Sequence, residues 1–100
     1  MNRVLSESHV DRFNMMKVIK MFKADWCGPC DEQAEIVSTV VEQRDDVEIQ
    51  KFDVEEDSDV ANQYNVNSLP TLVVEKDKQT VEQLTGLQTE NELMTTLNNV

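Results

Sequence analysis

The chain is poor in several things, and each shortage excludes something. Two glycines and two prolines in 100 residues rule out collagen-like and low-complexity architectures. With 39% apolar residues, the composition also argues against wholesale disorder. Basic residues are scarce: nine Lys and Arg face twenty acidic residues, a formal charge of −11. Nucleic-acid binding needs a basic face that displaces counterions from phosphates, so that class is excluded, and docking on an anionic membrane surface is disfavoured. No long hydrophobic run exists. The longest apolar patch, Met15 to Phe22, is broken by Lys17 and Lys20 and is too short to span a bilayer. The first eight residues turn polar after two apolar ones and contain no secretory hydrophobic core, so a cytoplasmic protein is expected. There is a single histidine, His9, expected to be a solvated surface residue, and only two cysteines, which disfavours a four-ligand structural zinc site, and no bound metal is expected.

What is present begins with an uneven charge. Residues 27–59 carry twelve acids against Arg44 and Lys51, a net of −10, while residues 1–26 are net +2. The acidity therefore belongs to one third of the chain and reads mainly as a solvated face. Length and the absence of a linker or repeat predict one domain over residues 1–100.

Two periodicities alternate along that domain. Ser8 with Asp11 suggests a capped short helix over 8–14. Residues 17–23 read as a strand. From Gly28 to Arg44, the positions Ala34, Val37 and Val41, flanked by Ile36 and Val40, follow helical spacing. Residues 47–53 alternate apolar and polar side chains like a half-buried strand. A short helix over 58–64 places Val60, Ala61 and Tyr64 on one side. Leu72 to Glu75 reads as a buried strand, Asp77-Lys78 as a turn and 79–84 as its hairpin partner. Thr89 with Glu92 forms a capping box before a helix striped by Leu93, Leu97 and Val100. Alternating strands and helices imply parallel pairs joined by crossovers and closed by the terminal hairpin: an α/β fold.

Trp26-Cys27-Gly28-Pro29-Cys30 stands where a strand hands over to the long helix. Two thiols at this spacing can close a small disulfide ring. The first lies at the helix N-terminus, where unpaired N–H groups and the macrodipole stabilise a thiolate, the reactive form. Pro29 suits a first helical turn because it has no N–H to satisfy. Gly28 leaves room for another backbone to approach the sulfur. In a chain with a β-α-β pattern such a pair reads as a redox motif.

With Lys51-Phe52-Asp53-Val54, Tyr64-Asn65-Val66-Asn67-Ser68-Leu69-Pro70-Thr71 and Gly86 at the matching intervals, the chain resembles the thioredoxin family over nearly its whole length. The resemblance implies a thioredoxin-like fold: a central mixed sheet of about four strands flanked by helices, with the N-terminal strand missing or reduced to a few residues around Arg3 to Leu5. It implies a protein-disulfide reductase in which Cys27 attacks and Cys30 resolves. Pro70 would be a cis-proline packed against the disulfide, and the Leu69 backbone would pair with an extended substrate. Trp26, Gly28, Pro29, Leu69, Pro70 and Gly86 would form the substrate-binding surface. No cofactor would be bound; the redox centre would be the Cys27–Cys30 disulfide, re-reduced by a thioredoxin reductase drawing on NADPH. Disulfide-containing proteins would be the substrates and the protein a monomer.

The departures from the family pattern are specific. Met21 occupies the place of the usual buried Asp, so Lys51, the matching lysine, loses its partner. Lys23 replaces an aromatic residue, and Glu35 the proline that kinks the long helix. Asp31 stands where a lysine commonly follows the second cysteine, and Glu32 follows it. Met21, Lys51 and Asp31 are therefore expected to modulate the site. An acid beside a thiol disfavours its thiolate, so Asp31 is expected to raise the Cys27 pKa.

Overall fold

The computed structural model describes residues 16–100, in which four strands form one mixed sheet flanked by three helices. In chain order these are β1 (Lys17–Lys23), α1 (Gly28–Glu42), β2 (Val47–Asp53), α2 (Ser58–Gln63), β3 (Thr71–Lys76), β4 (Gln79–Thr85) and α3 (Glu90–Asn99). The expected helix over 8–14, the reduced strand near Arg3, His9 and Met15 lie outside the described residues. The other expected elements are present, with ends displaced by no more than two residues.

The strand order is β2-β1-β3-β4. β1 and β2 are parallel, with Lys17 opposite Val47 and Lys23 opposite Asp53. β3 runs antiparallel to β1, so the sheet contains one parallel pair rather than the several that alternation suggested. The reason is length. A six-residue helix rises only about 9 Å, less than half a seven-residue strand, so the α2 connection returns the chain to the end it left. Thr71 consequently starts β3 beside Phe22, at the end where β1 and β2 finish.

β3 is buried on both faces and β4, at the edge, is mostly exposed. The hairpin between them turns through Asp77 and Lys78, both at positive φ (56° and 67°), the backbone of a two-residue type I′ turn. The capping box of α3 is complete: Glu92 N donates to Thr89 Oγ1 at 3.1 Å and Thr89 N to Glu92 Oε1 at 2.8 Å.

The sheet separates two cores. On the α1/α3 side Ile19, Met21, Val37, Val40, Val47, Leu72, Val74, Leu93 and Leu97 pack with the two cysteines. The buried stripe of α1 runs Cys30, Gln33, Val37 and Val40, one position round from the expected Ala34-Val37-Val41 line. β-branched residues flank the true stripe on both sides, so apolar content alone did not centre it. On the other side Phe22, Ala61 and Val73 are joined by Phe52, Val60 and Tyr64. Phe22 stacks on Phe52 with ring centroids 5.3 Å apart. At the edge of this cluster the Tyr64 hydroxyl donates to Glu75 and accepts from Lys20 Nζ, which also pairs with Glu75 at 3.5 Å. Burial pulls the Lys20 ammonium down, but the Tyr64 hydrogen bond and the Glu75 charge outweigh it and the group titrates higher than usual. No helix among the described residues is long and apolar enough to cross a membrane.

Candidate active site

Cys27 is the N-cap of α1 and Gly28-Pro29 its first turn, so the backbone itself sets the two sulfurs facing each other. Cys27 N donates to Ala24 O at 3.1 Å, which ties the cap to the end of β1. Cys27 and Cys30 are joined as a disulfide with Cα atoms 5.5 Å apart. Cys30 is sealed in the core, while Cys27 keeps a small exposed edge. The two cysteines thus differ in surroundings: Cys27 lines an open groove, and Cys30 is not among its lining residues.

This groove, of about 490 Å³, lies beside the disulfide and is lined by Trp26, Cys27, Gly28, Pro29, Val54, Val66, Asn67, Ser68 and Leu69. Trp26 is 66% exposed, the most exposed large apolar side chain described. Its indole Nε1 donates to Glu55 Oε2 at 2.9 Å, which orients the ring over the groove edge. The Leu69–Pro70 bond is cis and Pro70 is buried. Gly86 does not line the groove. Its φ is 90°, and its N–H donates to Pro70 O at 2.8 Å.

The expected modulators fall in different places. Met21 is fully buried. Lys51 is its register partner on the same face of the sheet, but its side chain is exposed and makes no ion pair among the described residues. Lys23 instead pairs with Asp53 at 3.9 Å. Asp31, in the first turn of α1, and Glu32 after it are both exposed. Among the described residues no group of three or more His, Cys, Asp or Glu is placed to hold a metal ion.

Two contacts escaped the sequence. Glu55, 29 residues from Trp26, carried no signal beyond its place in an acidic run. Gln33 is fully buried on α1 and hydrogen-bonds the backbone of Gln88. Its signal was a polar residue four before Val37, on the apolar face.

Comparison with known proteins adds independent support. The thioredoxin family profile matches residues 5–99. The chain is 38% identical over 81 residues to thioredoxin 1 of Synechococcus elongatus, covering 80% of this chain and 76% of the relative. It is likewise 38% identical to the thioredoxin of Bacillus subtilis, covering 81% and 79%. Among solved structures, a mutant thioredoxin from Halobacterium salinarum superposes with a TM-score of 0.80 at 38% identity, over 91% of this chain and 79% of that one. The thioredoxin of Fasciola hepatica gives 0.79 at 30% identity, over 94% and 89%.

Proposed function

The chain belongs to the thioredoxin family and is a thiol–disulfide oxidoreductase, and from that premise we propose that it reduces protein disulfides with Cys27 as nucleophile and Cys30 as resolving thiol. In the dithiol form, the Cys27 thiolate attacks one substrate sulfur. A Cys27–substrate disulfide forms, the substrate S–S bond breaks, and the leaving thiolate takes a proton. Cys30 then gives up its proton and attacks Cys27 sulfur. The Cys27–Cys30 bond closes and the second substrate thiol departs, two electrons having moved to substrate. The observation that carries this reading is the disulfide at the N-terminus of α1, one sulfur reachable from the groove and the other buried.

An extended substrate segment would lie in the groove lined by Trp26, Gly28, Pro29 and Leu69, with the Leu69 backbone as its strand-like partner. Pro70, bonded to Leu69 and hydrogen-bonded by Gly86 N–H, completes that surface. Electrons reach the disulfide from NADPH through a flavoprotein reductase of the thioredoxin-reductase type. The working unit is a cytoplasmic monomer whose 100 residues form one domain, and it binds no cofactor.

The decisive assay is reduction of insulin by dithiothreitol with and without the protein. Acceleration that disappears in Cys27→Ser is expected; an unchanged rate in that variant contradicts the reading. NADPH oxidation in the presence of a thioredoxin reductase tests the electron source.

Met21 sets the pace of the second step. Met21 shares the buried core with Cys30 and offers no carboxylate there to take its proton, so mixed-disulfide breakdown is expected to be slow. Met21→Asp is expected to accelerate that breakdown in stopped-flow measurements. An equal or slower rate contradicts this role.

A further inference from the structure

Gln33 is a polar side chain with no solvent exposure, one helical turn after Cys30. Burying an amide is unfavourable unless its groups are hydrogen-bonded. Here both ends are used on a single residue. Gln33 Nε2 donates to Gln88 O at 3.1 Å, and Gln88 N donates to Gln33 Oε1 at 2.7 Å. The side chain thus pairs with Gln88 as a neighbouring strand would. Two bonds to one peptide fix its orientation as well as its distance, which no apolar side chain can do.

The clamp reaches the groove through two more bonds. Gln88 Nε2 donates to Gly86 O at 3.2 Å, and Gly86 N donates to Pro70 O at 2.8 Å. Pro70 is bonded to Leu69, which lines the groove. Cys30 and the groove wall, 39 residues apart in sequence, are therefore linked by one turn of helix, one amide and a three-residue segment. That segment, Gly86–Gln88, lies between β4 and α3 in neither a strand nor a helix; the Gly86–Pro70 bond extends the β3–β4 pairing by one residue, and Gln88 is held by Gln33. The packing of α1 on α3 does not need the clamp, because Val37, Val40, Leu93 and Leu97 already share one core.

The geometry points to Gln33 as a positioning residue for disulfide exchange, holding the Gly86–Gln88 segment, and through Pro70 the Leu69 wall, in register with the cysteines. This rests on the reading of the groove as the substrate surface. The test compares two disulfides. 5,5′-Dithiobis(2-nitrobenzoate) needs only the reactive sulfur, whereas insulin needs the groove as well. In Gln33→Met, which keeps length and loses both hydrogen bonds, KM for insulin is expected to rise several-fold to roughly tenfold with a smaller change in kcat. The rate with the small disulfide stays that of the wild type. An equal fall on both substrates, or no change on either, overturns the proposal. A wild-type protein that reacts with the small disulfide but not with insulin fails at the groove reading instead. If the variant does not fold, hydrogen exchange on the wild type decides. A protected Gln88 amide supports the clamp, and one exchanging as fast as the exposed loop amides overturns it.

Discussion

Helix α1 is pinned at both ends, by opposite chemistries. At its catalytic end, Gln33 uses a neutral amide, buried and dry, to grip the backbone of Gln88. Just past its far end, Arg44 forms a charged corner. Its Nε and Nη2 donate to the two carboxylate oxygens of Asp46 at 2.9 and 3.0 Å, and Nη1 reaches Asn98 Oδ1 at 2.8 Å. Lys17, 7% exposed, completes the corner at 3.2 Å from Asp46. Hydrogen bonds from Arg44, and then from Lys17, hold the Asp46 carboxyl well below the usual carboxylate range, against the opposing effect of burial. The far corner is thus a structural device that titrates. The near clamp carries no charge, so it neither titrates nor adds a field beside the thiols. Stability and reactivity are carried at different ends of one helix.

The sharpest way to break that division is to cut the charged corner. Asp46→Ala takes the shared carboxylate from Lys17 and Arg44 and, with Asp46 itself partly exposed, is expected to cost about 2 kcal/mol of stability. Insulin reduction per folded molecule stays unchanged; a matched loss of activity would show that the two ends are not independent. The same corner sets an acid limit. Because the folded Asp46 binds its proton less readily than the unfolded chain, its contribution is fully present above about pH 4, the ordinary carboxylate value. It is lost as pH falls from there through the depressed folded value. Denaturation midpoints between pH 3 and 5 should show this slope in the wild type and not in Asp46→Ala.

At the catalytic end the expected effect is on titration rather than stability. Asp31→Lys replaces an exposed acid in the first turn by a cation and is expected to shift thiolate formation at reduced Cys27 to lower pH, followed by ultraviolet absorbance at 240 nm. An unchanged titration contradicts a modulating role for Asp31. The smallest effect belongs to neither end. Lys78 sits at φ 67° in the β3–β4 turn, and Lys78→Gly is expected to add about 1 kcal/mol of stability by removing the Cβ penalty there, without touching the redox chemistry.

Much of this was legible in advance, for identifiable reasons. The redox pair could be read because its spacing is covalent: Cys27 and Cys30 are brought together by one turn of a helix whose start Pro29 marks. Strands and helices followed from periodicity, and Thr89 with Glu92 announced α3 through a local hydrogen-bond pattern. Leu69, Pro70 and Gly86 were reachable only through resemblance to the thioredoxin family, since no local rule says that residue 69 faces residue 27. The direction of β3 was missed because it depends on how far α2 carries the chain, which alternation of elements does not encode. Gln33 and Glu55 were missed for a related reason. Each partner is 29 or more residues away, and a lone Gln or Glu has the same local pattern whether it is solvated or clamped.

The central claim is that the two sulfurs differ in role because they differ in access. Reduced Cys30→Ser, mixed with oxidised insulin and analysed by mass spectrometry, tests it directly. A stable adduct through Cys27 that accumulates because nothing resolves it is the expected result. No adduct with Cys30→Ser, together with one through Cys30 in the Cys27→Ser protein, would contradict the assignment.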